Sequence, residues 1–336
     1  MTKEEPTSAA KVIMSTDPID IKLDKCIKRI LSEPQFLARI IKECVTECAN
    51  LSYDEIMDSL GQVKFMTVPV EPGLTENSVL ELSQEDYIAG EELIKFDILT
   101  FITVPIKLSG STDYVKLYIN IETQKNEMPG YDISERGIFY MCREVSRQCG
   151  TEFTLSKDDP IKYGNIKKVY SIWICTESAQ KRAGTVETIN LNKTITKDGK
   201  IIANSTIDDR YDIMTLKILR ISKNHSYAGV KNELFHFLTD LVNDEMSKQE
   251  KLTALKGYGV KITKTIESEV GSMTMYTQEI ADKNVNKGIQ QGIEKGQELL
   301  VKTIQLLIAG KTEDDLRKDG IDNRTISFAL KALNKD

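Results

Sequence analysis

Apolar and polar positions along the chain follow two different periods. From about Ile19 to Leu60 the spacing is helical, with Leu37, Ile40, Ile41, Cys44 and Val45 recurring at three and four residues behind Ser32 and Pro34 as start signals. Asn50 to Glu55 reads as a break and a new helix start. Residues 63–91 are mixed, with Pro69, Pro72 and Gly73 interrupting any long element. Leu93 to Ile106 and Tyr114 to Gln124 instead show the two-residue period of strands, separated by the tight-turn signal Ser109-Gly110-Ser111-Thr112. Helical spacing returns over Ile133 to Cys149 and stops at Gly150. Ile166 to Cys175 (IKKVYSIWIC) predicts a third, strongly apolar strand. Helix, hairpin, helix and strand in that order predict an α/β core with helices covering a mixed sheet.

Beyond Ala203 the pattern predicts a mostly helical region. Leu234–Val242 and Lys248–Lys256 read as short helices, and Ile262–Ala309 as a long helical arm. Thr312–Lys318 and Asn323–Leu333 read as a small terminal cap. The arm carries Gly288, Gly292 and Gly296, one glycine every four residues. Each costs about 1 kcal/mol against alanine in a helix, so the regularity calls for a reason. Close helix–helix approach in a homo-oligomer is one; a flexible, partly helical linker is the other. The resulting organisation is a disordered leader over 1–18, an α/β domain over 19–245 and a helical C-terminal region over 246–336.

The strand period assigns faces in the hairpin. Val115, Leu117, Ile119 and Ile121 point one way; Lys116, Tyr118, Asn120, Glu122 and Gln124 point the other. On the first strand Asp97 lies opposite Phe96 and Ile98, together with Leu99 and Phe101. With Gly110-Ser111 as a two-residue turn, Asp97 faces Gln124 and Leu99 faces Glu122. Asp97 and Glu122 are then diagonal neighbours, roughly 7–8 Å apart, on one face. Two carboxylates converging from adjacent strands suit a hard divalent cation such as Mg²⁺ or Mn²⁺, which takes oxygen ligands. A one-residue slip would separate the pair. The plainer reading of the same residues is a solvated polar face on an edge hairpin.

Composition narrows the field of functions. The chain has 336 residues and a mass of 37.9 kDa, with 40% hydrophobic and 29% charged positions, which is ordinary for a globular protein. No apolar run approaches the roughly 18 residues that span a bilayer. The polar first ten residues carry no signal-peptide pattern, so a soluble cytoplasmic protein is expected. Cys26, Cys44, Cys48, Cys142, Cys149 and Cys175 contain no CxxC pair, and His225 and His236 are the only histidines. A zinc site of familiar spacing and a histidine-dependent triad are both disfavoured. A net charge of −6 argues mildly against a protein that coats nucleic acid, but leaves room for a local DNA-binding patch.

Glu-Leu-Ile-Lys-Phe-Asp-Ile (92–98) followed by Lys-Leu-Tyr-Ile-Asn-Ile-Glu-Thr-Gln (116–124) resembles the PD-(D/E)XK nuclease family transposases related to recombination-promoting nucleases. The likeness continues through Pro-Gly-Tyr (129–131), Arg-Gly-Ile-Phe-Tyr (136–140) and Lys-Lys-Val-Tyr-Ser-Ile-Trp-Ile-Cys (167–175), and covers roughly residues 20 to 300. It implies a restriction-endonuclease-like core, with Asp97 and Glu122 as metal ligands and Gln124 at the position held by lysine in the superfamily pattern. Glutamine donates and accepts hydrogen bonds but brings no charge. Lys95, on the face of Asp97, is a candidate for the missing cation. Glu43 or Glu47 on the first core helix is a candidate further carboxylate, and Gln148 resembles a family position facing the site. Lys162, Lys167 and Lys168, with Lys181 and Arg182, are candidate contacts to the phosphate backbone of DNA. Lys116 is too far along its strand from Glu122 to help, and Trp173 reads as core. The function implied is a metal-dependent DNA endonuclease that promotes recombination or transposition. The alternative is a catalytically silent relative that binds DNA or forms an oligomer. Nothing in the residues encodes recognition of transposon ends.

Overall fold

The computed structural model describes residues 17–61, 64–65, 85–86, 94–95, 97–108, 111–125, 127–153, 162–204, 212–223 and 232–333. Most of the expected leader, most of the mixed stretch 63–91, His225 and the side chain of Lys95 lie outside these residues.

The chain opens with α1 (Pro18–Leu31), capped by the Asp17 carboxylate, which accepts from the Ile19 amide. It is followed by α2 (Pro34–Cys44), which has proline in its first turn, and α3 (Tyr53–Ser59), closed by a Ser52/Glu55 capping box. Three two-residue strands come next: β1 (Lys64–Phe65), β2 (Glu85–Asp86) and β3 (Ile94–Lys95). The hairpin is β4 (Ile98–Leu108) and β5 (Ser111–Gln124); then come α4 (Ile133–Arg147) and β6 (Lys168–Cys175). After these come β7 (Thr185–Asn190), β8 (Thr194–Lys197), β9 (Lys200–Asn204) and β10 (Met214–Arg220). The remainder is helical: α5 (Glu233–Val242), α6 (Lys248–Gly257), α7 (Lys264–Ile308), α8 (Glu313–Lys318) and α9 (Asn323–Ala332).

The main sheet has six strands in the order β1-β4-β5-β6-β10-β7. It is mixed: β4 and β5 are antiparallel, β5, β6 and β10 run parallel, and β7 is antiparallel to β10. Helix α4 supplies the crossover between β5 and β6 that a parallel pair requires. Tyr140 and Met141 of α4 pack on Leu99, Tyr118, Trp173 and Leu216, so α4 covers the face that carries Glu122. Gly137 allows that approach, because a Cβ there would meet the Leu216 side chain at 2.7 Å. On the other face Ile98, Ile119, Ile121, Ile172 and Leu219 are fully buried. Around Asp97 and Glu122 the hairpin is therefore covered on both faces, not a solvated edge.

Two expectations change. The register pairs Leu99 with Asn120 and Leu108 with Ser111, so the pairing moves by two residues from the one expected. A shift of two preserves side-chain parity. Extending the ladder brings Asp97 level with Glu122 itself, not diagonal to it. The region beyond Ala203, expected to be mostly helical, contains β10. This strand is buried on both sides and so lacks the polar alternation that marks a half-exposed one.

Contacts divide the chain into two compact units, Met1–Met275 and Tyr276–Asp336. In the first, Phe36 of α2 and Phe237 of α5 meet with ring centroids 5.1 Å apart. In the second, Leu307, Leu316, Ile321, Ile326 and Ala329 form the small core of the terminal cap. Among the described residues no helix is long and apolar enough to cross a membrane.

Candidate functional site

Asp97 precedes β4, and Glu122 lies near the carboxyl end of β5, at the edge where the parallel strands β5, β6 and β10 finish. Open α/β sheets place ligands at such an edge. The Asp97 amide donates to Glu122 Oε1 at 3.1 Å. Asp97 Oδ2 accepts from the Thr123 amide at 2.9 Å and from the Thr123 hydroxyl at 3.2 Å. The aspartate is thus fixed by the strand that carries the glutamate.

A cation completes the arrangement. Lys28 Nζ of α1 lies 2.8 Å from Asp97 Oδ1 and 2.5 Å from Asp24 Oδ2, one helical turn earlier. Burial works to lower the Lys28 pKa, but Asp97 and Asp24 outweigh it and the ammonium is held above its usual range. Asp24 is itself raised by burial, against the pull of Lys28. Glu122 is 3% exposed, and burial first, then Asp97, pushes its carboxyl well above the ordinary range. The Asp97 amide, Arg136 and Lys28 oppose that shift. Arg136 of α4 donates to the Tyr140 hydroxyl at 2.6 Å and lies 5.3 Å over the Trp173 ring. Burial followed by Glu122 raises the Tyr140 phenol. Asn120, two residues before Glu122 on the same face, is fully buried with no protein partner for either side-chain amide atom.

The remaining candidates fall in two groups. Gln124 is half-buried, two residues beyond Glu122 on the same face, and its backbone carbonyl accepts from the Thr176 amide at 2.9 Å. Glu47, Gln148, Lys162, Lys167 and Lys168 are elsewhere. Lys168 is level with Leu117, five residues from Glu122 along β5, roughly 17 Å by strand rise. It projects to the opposite face from Trp173, where its Nζ meets Glu47 at 2.9 Å and Asp212 at 2.5 Å; the Tyr170 hydroxyl donates to Glu47 at 2.6 Å. Glu47 and Lys168 therefore neutralise each other in a structural knot. Glu43 instead accepts from Asn232, ahead of α5, at 3.2 Å. Gln148 is buried with both ends of its amide on the Lys167 backbone: Oε1 accepts from the amide at 2.7 Å, and Nε2 donates to the carbonyl at 3.0 Å. It closes the chain onto β6 at the far end from Glu122. Lys162 is exposed beside the short turn Tyr163–Asn165.

Lys28, Asp24, Thr123 and Arg136 were not singled out by the sequence. The four-residue spacing of Asp24 and Lys28 was a readable sign of a pair on one helix face, but nothing local says that this face meets the hairpin.

Asp97 and Glu122 bring two carboxylates, oxygen donors of the kind a hard divalent cation takes, to one end of the sheet. Burial and then Asp97 raise the Glu122 carboxyl, with Arg136 and Lys28 opposing. Among the described residues no group of three or more His, Cys, Asp or Glu side chains could hold a metal ion. An ion here would rely on the two carboxylates with water and substrate oxygens, the usual coordination of Mg²⁺. Comparison of the chain with protein-family models, curated proteins and solved structures finds no match.

Proposed function

We propose that the chain is a metal-dependent endonuclease of the PD-(D/E)XK type that hydrolyses DNA phosphodiesters and so promotes recombination or transposition in the cytoplasm. The observation that carries this reading is the convergence of Asp97 and Glu122 at the carboxyl edge of the parallel strands, joined by the 3.1 Å hydrogen bond from the Asp97 amide. The resemblance of residues 92–98 and 116–124 supports it. So does the order helix, hairpin, helix, strand, which suits a restriction-endonuclease-like core.

Asp97 and Glu122 would hold Mg²⁺ or Mn²⁺, and the ion would acidify an attacking water and offset charge on the scissile phosphate. Thr123 orients Asp97 through its amide and hydroxyl. Lys28 brings a positive charge beside Asp97, where Gln124 brings none. Gln124 would position a water or a phosphate oxygen by hydrogen bonding. One observation favours the second reading, a catalytically silent DNA-binding or oligomeric relative: Asp97 already has an ammonium counter-charge in Lys28.

Nicking of supercoiled plasmid in Mg²⁺ or Mn²⁺ separates the two. Wild type is expected to nick, with Asp97→Ala and Glu122→Ala each reduced by about 100-fold or more, the scale for losing a principal electrostatic contributor. Equal nicking by all three proteins would remove the site. DNA binding without nicking by wild type would establish the silent relative.

A further inference from the structure

Every residue from Ala281 to Leu299 in α7 is exposed, so among the described residues of its own unit none covers this length of helix. Within it run two parallel rows of side chains at four-residue spacing. Val285, Ile289 and Ile293 form a ridge, exposed at 61%, 57% and 49%. Gly288, Gly292 and Gly296 form a groove beside it, and a methyl group added at any of the three would meet no atom within 4 Å. On a helix with 100° between residues the two rows adjoin, while Lys283, Lys287, Glu294 and Glu298 fall on the opposite side.

Rows at four-residue spacing are the ridges and grooves of the commonest helix-packing class, which crosses at about −50°. Here ridge and groove have the same spacing and the same length, three residues each, and lie next to one another on a single surface. That surface is self-complementary under a two-fold axis running along the rows. The ridge of one helix enters the groove of the other, and the reverse, as an isologous interface requires. Glycine lets the backbones approach closely, the principle of GxxxG pairing. The uncharged seam matches the depletion of charge at interface centres. An antiparallel arrangement turns the ridges onto each other at this crossing angle and leaves the grooves facing.

We propose that a second copy of this chain covers this face, as a parallel, crossing homodimer in which Val285, Ile289 and Ile293 of each α7 lie in the Gly288–Gly292–Gly296 groove of its partner. This does not depend on the nuclease reading. Beyond Leu299 the helix turns to its own cap, where Thr303 is fully buried, so the seam is short and the dimer reversible.

Sedimentation velocity on the full-length protein tests the pairing, with far-UV circular dichroism to confirm folding. Wild type is expected to dimerise with rising concentration. Gly292→Leu, which fills the groove while improving helix propensity, is expected to weaken dimerisation at least tenfold, and Lys287→Ala to leave it unchanged. A monomeric wild type, or a Gly292→Leu protein that dimerises as well as wild type, overturns the proposal. Val285→Cys, in a background with the exposed Cys142 and Cys149 changed to serine, reads the orientation. Parallel pairing brings the two introduced thiols together, and a disulfide-linked dimer is expected. Antiparallel pairing turns ridge onto ridge and sets Val285 beside Ile293 of the other copy, eight residues or about 12 Å from the other Val285 along the helix. A dimer that does not cross-link at Val285 overturns the parallel arrangement.

Discussion

Glu122 is a carboxyl group buried in the middle of a sheet, with a second carboxylate beside it, and its proton is open to direct measurement. Its folded-state pKa lies above that of an unfolded glutamate, because burial and then Asp97 disfavour the charged form. The contribution to stability is present below the unfolded value, about 4.3, and is lost as pH rises through the folded value. Glu122→Gln removes the loss. In metal-free buffer the variant is expected to gain Tm over wild type as pH rises, with little difference at acid pH. A difference that stays constant with pH would mean that this carboxyl is not the titrating group. At this scale the meeting of Asp97 with Glu122 was legible, because the hairpin pairs their strands; the direction of the Asp97 carboxylate, which turns to Thr123, was not. Lys28 was not, because its meeting with Asp97 is made by the packing of α1 on a hairpin some seventy residues further along the chain.

Gln148 belongs to the scale of elements. Its amide imitates a strand neighbour for Lys167 and fixes where the chain leaves α4 for β6. Gln148→Ala removes both hydrogen bonds in a buried place and is expected to cost about 1–3 kcal/mol, measured by urea denaturation. Because the clamp lies at the far end of the sheet from Glu122, plasmid nicking per folded molecule is expected to be unchanged. A selective loss of nicking would return Gln148 to the site. The sequence resembled a family position here, but resemblance carries no direction for a side chain, and the direction decides the role. The elements themselves read well where the apolar signal was strong, as on one face of α4 and along the nearly continuous apolar run of β6, which is buried on both faces. They read poorly at β10 (MTLKILR), where Lys217 and Arg220 interrupt the apolar run of a strand also buried on both faces. The hairpin register missed by two residues because Ser109-Gly110 and Gly110-Ser111 are both acceptable turns, and the error was harmless because it was even.

Over the whole molecule, the first unit combines a local hairpin with parallel pairings that span longer stretches of chain. Tyr118 pairs with Phe101, seventeen positions earlier, but also with Val169, fifty-one positions later. Closing the shorter loop costs less entropy. The two carboxylates are therefore brought level by the hairpin, and the burial that makes Glu122 hard to ionise waits until α4 has docked. Stopped-flow chevrons check that order of events. Val104→Ala, inside the hairpin, is expected mainly to slow folding, and Met141→Ala, on α4, mainly to speed unfolding. The reverse assignment would mean that α4 and the parallel strands assemble first. On this order, the acidic pair exists for a time as an open, hydrated site on a half-built protein. On the proposed metal-binding reading, a divalent ion present during synthesis would meet the pair before the helix closes over it, and occupancy would depend on history as well as on affinity.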